Sequence, residues 1–192
     1  MQGVAADDDP DVNACLFAAM RTRMANTGFT ETIASCSKVA GNPGQTAARR
    51  GEAYGRIGEA YAGAGDNDKA FANFAKSLEL NPDDAYTCMQ RANLYQQIGG
   101  TDMAITDCNK AVKLEPRGMS GVVALGVLGK LYNNRGKFDL VIAYLNIAID
   151  AAPDIMKSNL YRDRGTGWAN KGDSDRAQAD HAKAIEYEMK GK

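Results

Sequence analysis

The sequence predicts an all-α array of about five helix–turn–helix hairpins. Two observations predict it. Tyr61, Gly65, Ala70, Lys76, Leu80 and Pro82 recur 34 positions later as Tyr95, Gly99, Ala104, Lys110, Leu114 and Pro116. A fixed period of that length marks stacked supersecondary units. Within each period the apolar residues fall at helical spacing, with glycine near the middle and proline at the close. One hairpin cannot bury its apolar face alone, so neighbouring units must supply the core.

Residues 1–10, with Asp7-Asp8-Asp9-Pro10, read as a mobile, solvated acidic tail. They have neither the spacing nor the glycine of a calcium loop. In residues 11–44, Val12 to Met24 and Phe29 to Ala40 form a degenerate hairpin around Asn26-Thr27-Gly28. Residues 45–84 hold the first clear unit. Tyr54, Ile57, Gly58 and Tyr61 share one face of its first helix. Gly65-Asp66 ends that helix and caps the next. Ala70, Phe74, Ser77 and Leu78 form the inner stripe of the second helix, which Asn81-Pro82 stops. Gly58 and Ala70 are small where the two helices should cross.

Residues 85–118 keep the spacing but place Cys88 and Cys108 where the unit before has aromatic residues. Residues 119–155 restore the pattern at Leu128-Gly129, Tyr132, Gly136, Val141, Leu145 and Pro153. Pro116 and Pro153 are 37 positions apart, and the extra residues are expected to lengthen a loop at 117–121. Residues 156–192 close the array with Arg164-Gly165, Trp168, Gly172-Asp173, Ala177, His181 and Ala184, but no final proline. His181 is expected at a helix-packing position and Trp168 in the core. Gln178, His181 and Ile185 stand where the preceding unit has Ile142, Leu145 and Ile149. That polar stripe suits a terminal cap; the competing reading buries Ile185, Tyr187 and Met189 against a second copy.

Tyr54-x-x-Ile57-Gly58-x-x-Tyr61, then Ala70-x-x-x-Phe74, then Pro82, resembles the tetratricopeptide repeat (TPR). The resemblance implies a right-handed α-solenoid, a TPR-like superhelix, and a general role in binding other proteins. It also implies that the first helix of each hairpin lines a concave groove that holds an extended peptide.

Composition narrows the function classes. The formal net charge is −1, which argues against nucleic acid as the main partner. No apolar run approaches the roughly 18 residues that a membrane span needs, so no membrane insertion is expected. Nor is there a catalytic constellation. His181 is the sole histidine, and no nucleophile motif is present. Gly165-Thr166-Gly167 lies in a predicted helix and follows no strand, which removes the dinucleotide-binding context. No enzyme activity, cofactor or metal site is expected.

Cys88 and Cys108 are equidistant from Ile98, and Cys15 and Cys36 are similarly placed around Asn26. Two readings follow. In one, all four are small buried hydrophobes. In the other, they form two disulfides, each worth about 3 kcal/mol. Disulfides imply an oxidising compartment, hence an exported or periplasmic protein whose signal peptide has been removed; the alternative is cytoplasmic.

The groove implied by the resemblance is assigned residue by residue. Its N-terminal part, with Glu52, Gly55, Glu59, Ala62 and Gly63, reads as acidic and small. Its C-terminal part reads as amide-rich, with Tyr86, Met89, Asn93, Gln96 and Gln97, then Lys130, Asn133 and Asn134, then Arg162 and Asn170. Asn and Gln both donate and accept, so they suit the backbone of an extended peptide. Lys130 and Arg162 suit a carboxylate. The expectation is a non-catalytic protein-interaction module, a monomer or weak homodimer. The rivals are a self-assembling structural scaffold, as a dimer or stacked array, and an unrecognised enzyme.

Overall fold

The computed structural model describes residues 9–190. Ten helices follow one another: α1 (Pro10–Ala25), α2 (Phe29–Gly41), α3 (Ala47–Gly63), α4 (Asn67–Leu80), α5 (Ala85–Gln97), α6 (Thr101–Leu114), α7 (Met119–Asn134), α8 (Phe138–Ala151), α9 (Asp154–Lys171) and α10 (Ser174–Lys190). No strand occurs among the described residues. The expected acidic tail lies mostly outside them.

The hairpin turns fall where the sequence places them. Gly28, Gly65, Gly99, Gly136 and Gly172 all have φ between +67° and +93°, a left-handed conformation that only glycine adopts freely. Pro82 and Pro116 lie in the links that follow α4 and α6, and Pro153 immediately precedes α9. The extra residues of the third period do not lengthen a loop. The links 81–84 and 115–118 are equally long, whereas α7 has 16 residues and α5 has 13. The insertion adds most of a turn to a helix, where each added residue gains a backbone hydrogen bond.

The chain divides into two compact units, residues 1–90 and 91–192, so that α5 contributes to both. In the first unit Val12, Cys15, Cys36, Val39, Ala40, Ala53 and Ile57 form a core, flanked by Ile33, Tyr54 and Tyr61. Gly58 permits the α3–α4 crossing: a β-carbon there would meet the Phe74 ring at 2.6 Å and the Ala70 carbonyl at 3.1 Å. Two buried hydroxyl pairs add polar links, Thr22 to Thr32 at 2.7 Å and Ser77 to Thr87 at 2.9 Å. In the second unit Val122, Leu125, Val141, Leu145, Ala148, Ile149 and Leu160 form the core. Tyr132 and Tyr144 stack beside it.

The cysteines divide. Cys15 and Cys36 are bridged, with their Cα atoms 4.5 Å apart. Cys88 and Cys108 carry no bridge, so the disulfide reading holds for one pair and the buried-hydrophobe reading for the other. Both are fully buried. Burial, aided by Asp107, pushes the Cys108 thiol up to about 12. These two residues fill the core as small hydrophobes.

Candidate interaction surface

In the first unit, side chains from α1, α3 and α5 converge on Tyr86. Its hydroxyl donates to Glu59 and accepts from Arg23 Nη2 and, at 3.1 Å, from Gln90 Nε2. Arg23 binds both Glu59 oxygens, at 3.1 and 3.2 Å. The Arg56 guanidinium stacks 4.1 Å from the centre of the Tyr86 ring and reaches Glu52 at 3.1 Å. Burial, reinforced by Glu59 and opposed by Arg56, holds the Tyr86 phenol well above its ordinary range. Two carboxylates and two guanidinium groups therefore balance. The surface expected to be acidic is electroneutral, because Arg23 arrives from a helix with no clear repeat pattern and Arg56 folds over an aromatic ring. Tyr86 is half-buried at the hub of this cluster.

Met89 is buried, which corrects its placement on an open groove. It stands 34 positions after Gly55, three residues before the small residue at the helix crossing. Within each unit that position packs on a neighbouring first helix. Gly55 packs on Thr87, and a β-carbon at Gly126 would touch Leu160 at 3.5 Å. In the last hairpin the same position is Arg162, and it is exposed.

In the second unit the expected groove residues of α7 and α9 meet in pairs. Asn170 Nδ2 donates to Asn133 Oδ1 at 2.9 Å. Lys130 lies 3.7 Å from Asp163. Burial raises the Asp163 carboxyl above its usual value, against the pull of Lys130. Arg162 reaches Glu188 at 3.2 Å and Asn159 at 3.0 Å. Asn134 and Gln97 are exposed, and Asn93 and Gln96 are half-buried on α5. Sequence reasoning found the cations but missed Asp163 and Glu188, their counter-ions.

The remaining polar residues of note have structural partners. Trp168 is half-buried between Arg176 and Lys171, 4.5 and 5.7 Å from the ring centre. His181 is exposed, and its neighbour Asp180 takes the buried position, paired with Arg164. No group of three His, Cys, Asp or Glu residues suited to a metal occurs among the described residues, and no described helix is long and apolar enough to cross a membrane.

Residues 51–84 match one tetratricopeptide-repeat family profile, and residues 85–117 match a second. Residues 51–117 are two tetratricopeptide repeats. Across 56 residues this chain is 41% identical to "Protein CTR9 homolog" of Arabidopsis thaliana, a match over 29% of this chain and 5% of that protein. The chain therefore spans a small fraction of that relative's length. The solved structure "Crystal structure of MamA" superposes with a TM-score of 0.71 at 22% identity, over 90% of this chain and 95% of that one. "MamA 41-end from Desulfovibrio magneticus RS-1" gives 0.71 at 18% identity, over 96% and 98%. Likeness at these identities establishes a shared TPR-like fold.

Proposed function

We propose that this chain is a non-catalytic interaction module that holds an extended segment of a partner protein on the face shared by α7 and α9. The observation that carries this reading is the Asn133–Asn170 pair beside the Lys130–Asp163 pair. Side chains from two successive first helices meet there, and Lys130 and Asn170 are exposed. Exposed amides keep spare donors and acceptors for a peptide backbone. The ion pairs of Lys130 and Arg162 are solvent-exposed, hence weak, and a ligand carboxylate competes for both cations. The repeat family supports the general role, protein binding.

The test is a set of peptides selected from a random display library on the folded chain. Lys130→Ala with Arg162→Ala is expected to weaken binding and flatten its salt dependence while the unfolding temperature stays close to that of the parent. Binding unchanged in the double variant places the site elsewhere. The Cys15–Cys36 bridge supports an oxidising compartment as the place of action.

A further inference from the structure

The hairpins fill one pair of equivalent positions in different ways. Arg164 of α9 pairs with Asp180 of α10 and also donates to Asn146 of α8 at 2.6 Å. In the α7–α8 hairpin the two positions are Leu128 and Tyr144, and the Tyr144 ring stacks on Tyr132 with centres 5.6 Å apart. In the α3–α4 hairpin they are Ile57 and Asn73. Neither of these side chains reaches as far as an arginine or a tyrosine, and an opening of about 190 Å³ lies beside them.

The opening lies wholly in the first unit, between α2, α3 and α4. Tyr54 and Tyr61 stand two helical turns apart on α3, with Ile57 between them. Ile33, Ser37 and Ala40 line it from α2, and Asn73 lines it from α4. Ile57 and Ala40 are buried, the tyrosines and Asn73 are half-buried, and Ser37 is exposed, so the slot is reached from solvent. Its volume exceeds the roughly 150 Å³ at which an apolar cavity takes up benzene. Asn73 Nδ2 donates to the Lys69 carbonyl at 2.8 Å, whereas its Oδ1 receives no hydrogen bond among the described residues. Two lysines of α4 sit on the tyrosine rings, Lys69 over Tyr61 at 5.3 Å and Lys76 over Tyr54 at 5.4 Å. Lys69 is paired with Asp66, but Lys76 makes no ion pair among the described residues.

We propose that this slot receives a tyrosine side chain of a partner segment, with an acidic residue next to it. The α7–α8 hairpin places a tyrosine of the chain itself at the equivalent position, Tyr144 on Tyr132, and a visiting ring stacks on Tyr61 in the same way. The visiting phenol donates to Asn73 Oδ1, an acceptor that a phenylalanine leaves unused. Arginine is the other filler in this array, but Arg164 relies on the Asp180 carboxylate. In the slot an amide takes that place and Lys76 stands nearby, which disfavours a cation. Lys76 instead suits a flanking carboxylate. The slot is built from α2, α3 and α4 and the proposed peptide face from α7 and α9, so the two readings stand or fall separately.

The probe is the peptide acetyl-Glu-Tyr-Glu-amide, added to the isotope-labelled full chain and followed by amide NMR shifts. Shifts are expected at residues 33–41, 54–61 and 73, with a Kd of about 1 mM, as suits one buried ring. Phenylalanine in place of the peptide's tyrosine should weaken binding about threefold, and leucine about tenfold. Asn73→Tyr places a ring where Tyr144 sits and is expected to abolish the shifts. Ser37→Trp fills the slot from the opposite side, at an exposed position, and should do the same; circular dichroism checks the helicity of both. Lys76→Gln should weaken binding about threefold and remove the preference over acetyl-Lys-Tyr-Lys-amide. Lys130→Ala with Arg162→Ala should leave this binding unchanged. The proposal is overturned by an absence of shifts at these residues with about 10 mM peptide, by equal binding of the leucine peptide, or by binding that persists in Asn73→Tyr and Ser37→Trp. Shifts confined to α7 and α9 also overturn it and place the peptide on that face.

Discussion

Asp107 receives two hydrogen bonds from Arg91, from Nε at 2.7 Å and Nη2 at 2.8 Å, and its carboxylate is almost fully buried. Arg164 and Asp180 repeat the arrangement at 2.8 and 2.6 Å, also 16 residues apart. The α3–α4 hairpin has Ile57 and Asn73 at the corresponding positions, and the α7–α8 hairpin has Leu128 and Tyr144. Bidentate ion pairs thus alternate with apolar or neutral pairs along the array. Asp107→Ala removes both of these charge-assisted hydrogen bonds and is expected to cost about 3 kcal/mol, near the low end for a buried pair because Arg91 is partly exposed. Arg91→Ile with Asp107→Asn, which copies the α3–α4 hairpin, should recover most of that loss. Urea unfolding of the single and double variants measures both. A double variant no more stable than Asp107→Ala would contradict the equivalence of the two hairpins.

The Cys15–Cys36 bridge ties α1 to α2 across 21 residues. Its removal is expected to cost about 3 kcal/mol. The loss should concentrate in α1, whose buried face consists of small residues and one valine. Hydrogen exchange with and without dithiothreitol reads this directly, with α1 losing protection first. Thiol titration of denatured, unreduced protein should count two free thiols, those of Cys88 and Cys108. A count of zero would mean that the second pair also oxidises.

Two glycines of α7 should respond in opposite ways to alanine. A β-carbon at Gly121 would collide with the Glu115 carbonyl oxygen, in the link before the helix. Gly121→Ala must shift backbone and is expected to destabilise by about 1–3 kcal/mol. At Gly126 the same group would make an ordinary 3.5 Å contact with Leu160. Gly126→Ala should be neutral or stabilising by up to about 1 kcal/mol, because glycine is a poor helix former. Thermal unfolding of the two variants ranks them.

Asp163 should make the second unit respond to mild acid in an unusual direction. Burial raises its folded carboxyl above the ordinary value of 3.8, and Lys130 only partly offsets that. The folded state therefore holds the proton more tightly than the unfolded state. Its contribution is fully present below the unfolded value and is lost as pH rises through the folded one. Asp163→Asn should remove this dependence without lowering stability at pH 7. A steep loss of stability in the variant at pH 7 would show that the Lys130 pair outweighs the burial cost.

The sequence by itself determined the fold class and the five turn glycines. Those features depend on local backbone preference and on apolar spacing, which every period repeats. Tertiary structure decided which side chains meet. Arg23 and Tyr86 are 63 positions apart, and their contact depends on how α1, α3 and α5 are rotated about their axes. Packing likewise buries Met89, leaves its counterpart Arg162 exposed, and supplies Asp163 and Glu188 as partners for cations expected to stand alone. Cysteine spacing was compatible with two bridges, but a bridge also needs a short Cα separation that only the packed helices set. Cys15 and Cys36 have that separation and are joined, whereas Cys88 and Cys108 are buried and carry no bridge. A periodic pattern specifies which face of a helix is apolar; the packed neighbours specify what each polar group on the other face can reach.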